Sequence, residues 1–263
     1  MTKKILKVLV IGDTHDSPDI PDKSRFGWFA KHIRKSKPDI VVQIGDFVTL
    51  DSCTHYIRDD TYTAKIEKPI FMKDMESMDS AMEEFNYHLK DFKIKKYLTL
   101  GNHEKRMFRK EDSNPTFYGM CQKEFFGNCK KYDWQVIPYG KYLMLGGVGF
   151  IHAPINPMGK EYGGEASERQ IANKSKIDIV FGHSHRAQDN RVAKISPTPN
   201  DFTRIINVGC AMPFNHIESY AKHSLTGWTY QVCELTIWDN HIQEVNNISM
   251  ETLERDYGGK KSK

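Results

Sequence analysis

The sequence predicts an α/β fold built on a largely parallel central sheet. Short apolar runs, mostly β-branched, have the length of strands, and helical patterns lie between the early ones. Strands that alternate with helices form parallel β-α-β units, which pack into a sheet covered by helices. The strand-like runs cover residues 6–11, 40–44, 97–100, 149–152 and 177–181.

Two segments between these runs have the periodicity of amphipathic helices. Residues 24–36 place Phe26, Phe29 and Ile33 on one face, and residues 75–92 repeat methionine and other apolar side chains at helical spacing. We interpret the methionine-rich stripe as core packing rather than as a cofactor site, because methionine fills irregular gaps between packed elements.

The pattern changes beyond about residue 187. Runs at 191–195, 203–208 and 229–238 resemble strands joined by Pro, Asn and Gly loops, with no long helix between them. They predict a second, more antiparallel sheet. A length of 263 residues suits one large α/β domain. We therefore expect a single domain over residues 1–250 and a basic C-terminal tail over residues 251–263, disordered at its end.

The composition excludes several classes of protein. No apolar run approaches the ~20 residues that are needed to cross a bilayer. Five scattered cysteines without a Cys-x-x-Cys pair fit reduced thiols better than a disulfide framework or a zinc ribbon. The net charge of +4 gives only a mild preference for anionic partners. Because the N-terminus has no cleavage site, we expect a cytoplasmic protein with no membrane partner; the sequence does not indicate an oligomeric state.

Side chains that can ligate metals follow each of the five early strand-like runs. In an α/β sheet, binding sites form at the carboxyl ends of the strands, so we expect these side chains to meet on one rim of the sheet. Carboxylate, amide and imidazole donors in about this number suit two divalent cations. The residues are Asp13 and His15 after the first run, Asp46 after the second, Asn102 and His103 after the third, His152 at the end of the fourth, and His183 and His185 after the fifth.

These motifs resemble the calcineurin-like metallophosphoesterase superfamily, and in particular its small phage and bacterial members. The resemblance runs from about residue 5 to residue 186 and implies a two-sheet β-sandwich flanked by helices, in four αββα layers. It consists of Gly-Asp-Thr-His at 12–15, Gly-Asp at 45–46, Gly-Asn-His-Glu at 101–104, His152, and Gly-His-Ser-His at 182–185.

The resemblance also implies a role for each residue. His103 would be the catalytic histidine beside the scissile group. Mixed Asp, Asn and His ligation suits borderline metals, so we expect two divalent metal ions, with Mn²⁺ first and Fe, Zn, Ni or Mg as alternatives. The first metal would be held by Asp13, His15, Asp46 and His185, and the second by Asp46, Asn102, His152 and His183, with Asp46 bridging them.

The expected function is that of a dinuclear metal-dependent phosphoesterase, a phosphatase or phosphodiesterase, acting on nucleotides or nucleic-acid ends. A protein or small-metabolite phosphatase is one alternative. The protein phosphatases of the superfamily carry Asp-Arg-Gly after the second motif, whereas Asp46 is followed here by Phe47, and no Arg precedes Gly101. A non-catalytic binding scaffold on the same fold is another alternative. It should have lost metal ligands, yet every motif position keeps a donor.

Two arginines are predicted to contact the substrate. Arg106 lies three residues after His103 and so projects from the same side of a helix. Arg186 adjoins His185. Residues 112–131 resemble a loop-rich insertion, whose function the sequence does not indicate. Further side chains lie in segments that could reach over the rim, namely His55, Tyr56, His216, His223 and Trp228.

Overall fold

The computed structural model describes residues 5–54, 70–164, 166–197, 201–218, 221 and 227–259. Within these residues the chain forms two β-sheets and six α-helices. The helices are α1 (Ser24–Ser36), α2 (Phe71–Leu89), α3 (Glu104–Asp112), α4 (Met120–Lys131), α5 (Ser167–Lys174) and α6 (Met250–Tyr257). The strands are β1 (Leu6–Ile11), β2 (Ile40–Gln43), β3 (Lys95–Thr99), β4 (Trp134–Ile137), β5 (Leu143–Leu145), β6 (Val148–Phe150), β7 (Ile179–Phe181), β8 (Ala187–Ala193), β9 (Phe202–Val208), β10 (Gln231–Trp238) and β11 (His241–Ser249).

The first sheet has the strand order β11-β10-β1-β2-β3-β4. Strands β1 to β4 run parallel, as predicted for β1, β2 and β3, whereas β4 was not predicted. Strand β10 lies antiparallel to β1, with Leu235 opposite Val8, and β11 lies antiparallel to β10. The assignment of residues 229–238 to the second sheet is therefore wrong. The local pattern identifies this segment as a strand. It does not show with which strand the segment pairs, and in the structure that strand is β1.

The second sheet has the strand order β5-β6-β7-β9-β8. Its centre, β6-β7-β9, is parallel, and the edge strands β5 and β8 are antiparallel. Strands β6 and β7 were expected in the central parallel sheet, and this expectation is also wrong. Helix α5 lies between β6 and β7 in the chain, so this pair has the same β-α-β pattern as the first sheet.

The two sheets pack face to face because successive side chains of a strand point to opposite faces. In β1, Val8 and Val10 enter the core between the sheets, whereas Leu9 and Ile11 enter the core under the helices. A third cluster joins Ile171 of α5 to the outer face of the second sheet. The layers are therefore helices, sheet, sheet and helix, which confirms the predicted αββα arrangement.

Helices α1 and α2 confirm the two predicted amphipathic segments. Met75, Met78 and Met82 of α2 are buried in the same cluster as Phe26 and Phe29 of α1, so the methionine stripe is core packing. No helix among the described residues is both long and apolar enough to span a bilayer.

Residues 112–131, which were expected to be a loop-rich insertion, contain a helix. Helix α4 occupies most of residues 112–131 and buries Phe125 and Cys129 in the helix-covered core. Gly119 and Gly127 interrupt this short amphipathic pattern, which is why it resembles a loop. Helix α6 forms at the start of the predicted tail and buries Leu253, and residues 260–263 lie outside the described residues.

A buried carboxylate ties the two sheets together near the start of β7. Asp178 accepts the backbone N–H of Arg204 in β9 at 2.8 Å and the backbone N–H of Ile242 in β11 at 2.9 Å. Its side chain is fully buried, and His241 Nδ1 lies 3.3 Å from the same oxygen that Ile242 uses. One side chain therefore joins strands of different sheets.

Replacing this carboxylate should destabilise the fold without touching the candidate site. In Asp178→Asn the amide nitrogen must face a backbone N–H, so one buried donor loses its acceptor. We expect the free energy of unfolding to fall by about 1–3 kcal/mol in chemical denaturation. The control is Asp39→Asn, because the exposed Asp39 accepts the N–H of Lys7 at 2.8 Å and should change stability by less than about 0.5 kcal/mol. Equal losses in both variants would contradict the inter-sheet role.

Candidate metal centre

The predicted ligands meet at the seam between the two sheets rather than on the rim of one sheet. Asp13 and His15 follow β1, Asp46 follows β2, and Asn102 follows β3, all in the first sheet. The remaining three come from the second sheet, His152 after β6 and His183 and His185 after β7. The ends of parallel strands in both sheets point to the same seam, and all seven side chains converge there.

One group of donors is formed by Asp13, His15 and His185. Asp13 Oδ2 lies 3.1 Å from His185 Nε2, and His15 Nε2 lies 3.0 Å from the same nitrogen. All three side chains are buried. Their donor atoms are close enough together to share one metal ion.

A second group is formed by Asp46, Asn102, His152 and His183. Asp46 Oδ2 lies 3.3 Å from His152 Nε2. Asn102 Oδ1 lies 2.9 Å from His152 Nε2 and 2.8 Å from His183 Nδ1. Asn102 and His183 are half-buried, so this side of the centre is the more open one.

The carboxylate of Asp46 stands between the two groups. The Oδ2 atom that faces His152 also lies 3.7 Å from His15 Nε2. The other oxygen, Oδ1, accepts the backbone N–H of His103 at 2.8 Å, which fixes the plane of the carboxylate. One oxygen is thus free to face both groups at once.

The arrangement fits metal ions better than it fits a hydrogen-bond network. Two imidazole nitrogens that face each other at 3.0 Å, His15 Nε2 and His185 Nε2, can share at most one proton. Among the described residues, the buried Asp13 Oδ1 has no hydrogen-bond partner. Buried polar atoms are normally paired, so an unpaired carboxylate oxygen in this donor set fits a cation as its partner. Oxygen and nitrogen donors in this mixture suit borderline divalent metals.

The backbone around the centre is held in conformations that most residues avoid. His15, Asp46, His183 and His185 have φ values of 43°, 48°, 71° and 57°, in the left-handed region. Such strain persists only where the surrounding structure imposes it, and it is concentrated at functional sites. Gly101 allows the close approach of two of these loops, since a Cβ there would collide with the side chain and backbone nitrogen of Asp46.

Glu104 supports this backbone, a role that the sequence did not indicate. The fully buried carboxylate accepts three backbone N–H groups, from Gly101 at 2.8 Å, Asp46 at 3.0 Å and Val48 at 3.2 Å. It therefore fastens the loop after β2 to the loop after β3. Burial, and then the charge of Asp46, raise the pKa of Glu104 to about 7.

His103 faces the centre from the start of α3 and is oriented by the backbone. Its Nδ1 donates to the carbonyl of Thr49 at 2.7 Å, and Arg106 donates to its Nε2 at 3.0 Å. Nε2 lies 4.0 Å from Asp46 Oδ2, so His103 also stands within reach of an ion shared with His15 and Asp46, but the Arg106 guanidinium occupies this nitrogen. Burial lowers the pKa of His103. The ring therefore adjoins the predicted ligands as a neutral imidazole with its proton on Nδ1.

The remaining side chains that the sequence singled out lie in different places around the centre. Arg106 is held beside His103 and also donates to the Thr49 carbonyl at 2.9 Å. The alkyl chain of Arg186 lies beside Gly227. Trp228 stacks edge-on against His185, with 4.6 Å between ring centres. His55, Tyr56 and His223 lie outside the described residues.

The fold and the clustered donors define a candidate metalloprotein, and the comparison with known families is more specific. The sequence profile of the calcineurin-like phosphoesterases matches residues 6–187, which include all seven predicted ligands and His103. The chain belongs to the calcineurin-like phosphoesterase family.

Solved structures similar to this chain have low sequence identity to it. A conserved uncharacterized protein from Streptococcus pneumoniae TIGR4, a predicted phosphoesterase, is 12% identical with a TM-score of 0.37, covering 94% of this chain and 91% of its own. Yfce, a phosphoesterase from E. coli, is 14% identical with a TM-score of 0.35, covering 93% and 100%. Wild-type Vps29 from Entamoeba histolytica, complexed with Zn²⁺, is 12% identical with a TM-score of 0.35, covering 93% and 99%. Scores this low carry no argument about activity. No curated protein matches the sequence.

Binding of divalent metal should release protons from this centre. Burial opposes a charge on His152, but the carboxylates of Asp46 and Asp13 outweigh it and raise the pKa of His152 to about 10. Near neutral pH this imidazole is therefore protonated in the metal-free protein and must lose its proton to become a ligand. The apparent metal affinity should rise with pH, by up to about tenfold per pH unit below that pKa.

The measurement is calorimetric titration of the metal-free protein with Mn²⁺ in two buffers of different ionisation enthalpy. The difference between the two heats gives the number of protons released, and we expect about one per protein from His152. An affinity that does not change between about pH 6.5 and 8.5 would refute this assignment of the proton.

Proposed function

We propose that this protein hydrolyses phosphate esters with the help of two divalent cations, and we expect both to be Mn²⁺. The position of Asp46 carries the proposal, because its Oδ2 atom faces His152 at 3.3 Å and His15 at 3.7 Å. A carboxylate oxygen between two sets of donors is what a bridging ligand requires. Membership of the phosphoesterase family supplies the reaction class.

The chain's own residues divide into two ligand sets. When bound, the two cations supply charge stabilisation for the phosphoryl group and lower the pKa of a water molecule. The more open side, at Asn102 and His183, is the side from which a phosphate ester can approach. The first set is Asp13, His15, Asp46 and His185, and the second is Asp46, Asn102, His152 and His183.

His103 acts on the substrate rather than on the cations in this proposal. Its ring is fixed by the Thr49 carbonyl, so Nε2 stays on the side of the centre. Two roles fit this position. A protonated His103 could donate to the leaving oxygen, with Arg106 turning away from Nε2, or the His103–Arg106 pair could stabilise the negative charge of the phosphoryl group.

The proposed substrate class is a nucleotide or a nucleic-acid end. Helix α3 begins directly after His103 and carries Lys105, Arg106 and Arg109. Positive side chains therefore lie along the helix that starts at the proposed catalytic histidine. Lys105 Nζ lies 4.3 Å from the centre of the Tyr139 ring. A cation beside an aromatic ring can meet both the phosphate and the base of a nucleotide.

The metal dependence can be tested with Asp46→Asn. The wild-type protein loaded with Mn²⁺ should hydrolyse nitrophenyl phosphate mono- or diesters, and chelator should abolish the activity. Because Asp46 faces both donor groups, Asp46→Asn should weaken the binding of both metals. Turnover should fall by more than the ~10–100-fold that is typical when a residue hydrogen-bonded to a metal ligand is replaced. Metal analysis after desalting, together with initial rates, measures both effects.

The matched control is Asp79→Asn, an Asp on α2 whose carboxylate pairs with Lys131 at 2.7 Å. It should keep two metal equivalents and full activity. If Asp46→Asn still holds two metals tightly, the bridging role is wrong. If the wild-type protein binds two metals but hydrolyses no ester in a panel of nitrophenyl esters, nucleotides and DNA, the proposed function is wrong.

The role of His103 can be tested with His103→Asn. This variant should bind both metals normally, because its ring is not among the proposed ligands. If His103 protonates the leaving oxygen, turnover of alkyl esters should fall by about 10²–10⁴. Nitrophenyl esters should be affected less, because their leaving group needs no proton. Initial rates on the two ester types give the ratio.

His88→Asn is the control, since His88 lies on α2 and pairs with Glu84 at 3.0 Å. It should leave both rates unchanged. Equal losses on the two ester types in His103→Asn would indicate charge stabilisation instead of proton donation. Loss of a metal from His103→Asn would reject its assignment to the substrate.

A further inference from the structure

We propose that Glu218 is a positioning residue for His15, and that it completes the first ligand set from outside the family-matched part of the chain. The matched region ends at residue 187, whereas Glu218 lies in the segment between β9 and β10. This inference rests on the proposed function, because it assumes that His15 ligates a metal. It adds a residue that the family motifs do not contain.

The two ring nitrogens of His15 have different surroundings. Nε2 faces His185 at 3.0 Å and Asp46 at 3.7 Å, so Nε2 is the ligand atom. Nδ1 is buried and makes no hydrogen bond with any residue that the structure describes. Glu218 Oε1 lies 3.7 Å from this nitrogen, and the Glu218 residue is only 7% exposed. A small rotation of either side chain would form the hydrogen bond.

The chemistry of a histidine ligand explains why such a partner is needed. For Nε2 to bind a metal, the ring must carry its proton on Nδ1, and a hydrogen-bond acceptor there fixes both the tautomer and the ring plane. His152 meets this need with a backbone carbonyl, that of Ile44, at 3.1 Å from its Nδ1. For His15 the acceptor is a carboxylate, which also makes the imidazole a stronger ligand.

The segment that carries Glu218 is tied to the same strand end as His15. Cys210 pairs with Asp13 in a parallel bridge, and the N–H of Ala211 donates to the Asp13 carbonyl at 2.8 Å. Further along, the hydroxyl of Tyr230 donates to the carbonyl of His216 at 2.6 Å. Both anchors hold the backbone that leads to Glu218, and this places its carboxylate beside His15.

A second histidine contacts the same carboxylate oxygen. His216 Nε2 lies 3.4 Å from Glu218 Oε1, and its side chain is 31% exposed. Glu218 Oε1 therefore lies between a partly exposed histidine and the buried His15.

The test compares Glu218→Ala and Glu218→Gln with the wild-type protein in titrations of metal-free protein with Mn²⁺ and with Co²⁺. In Glu218→Ala, one of the two metal equivalents should bind about 10–100-fold more weakly, and the other should keep its affinity. Glu218→Gln keeps an amide oxygen as acceptor, so its metal affinity should fall less than that of Glu218→Ala. The visible absorption of the weakened Co²⁺ equivalent should change, which a purely structural role would not produce.

Activity separates positioning from direct participation. With excess Mn²⁺, kcat of Glu218→Ala should return close to the wild-type value with KM unchanged, because Glu218 acts only through His15. The control is Glu234→Gln, since Glu234 also faces a histidine, His32 on α1, at 2.9 Å. It should keep wild-type metal affinities and the same Co²⁺ absorption.

The outcomes are decisive for two different claims. If Glu218→Ala binds both equivalents with wild-type affinity and spectrum, or if excess metal does not restore kcat, the positioning role is overturned. If the wild-type protein binds two metals and Glu218→Ala weakens one, but no phosphate ester is hydrolysed, the positioning role stands and the proposed function fails. If the wild-type protein binds no metal, both claims fail together.

Discussion

The buried carboxylate of Glu104 is the interaction on which the geometry of the centre depends. It accepts the N–H groups of Gly101, Asp46 and Val48, and so fixes the ends of two parallel strands relative to each other. Asp46 in turn receives the N–H of His15 on its carbonyl at 2.9 Å. The loops of the first sheet are thus joined by bonds to backbone atoms. The donors keep their positions because these hydrogen bonds hold the backbone. The same bonds maintain left-handed φ values that the residues would otherwise avoid.

The sequence is sufficient to predict the candidate ligands but not their distribution over the sheets. Each candidate ligand follows an apolar run, so its place at a strand end is a local property that the sequence pattern can detect. Which strands pair is a tertiary property. Residues 229–238 were recognised as a strand, yet nothing local indicates that they complete the edge of β1. For the same reason Glu218, which lies about thirty residues beyond the last motif and approaches His15 only through the fold, had no signal in the sequence.

Elements with a clear local pattern were predicted well, and several with a weaker pattern were missed, among them β5, β11 and α4. The bounds of β1 and α1 agree with the structure, because β1 is an almost continuous apolar run of strand length and α1 has a clear apolar face. Strand β5 has only three residues, which is too few for a period to be recognised. Helix α4 has its buried positions at Phe125 and Cys129, with Gly127 between them, so tertiary packing overrides a weak local preference.

The pairing of β1 with β10 has a consequence for how the protein folds while it is being made. The first strand of the chain obtains its second neighbour only when residues 231–238 have been synthesised, since β10 lies between β1 and β11. Until then one edge of β1 presents unpaired backbone groups beside apolar side chains, a combination that promotes association between nascent chains. The interval between the synthesis of these two strands is therefore when the edge of β1 is most open to association.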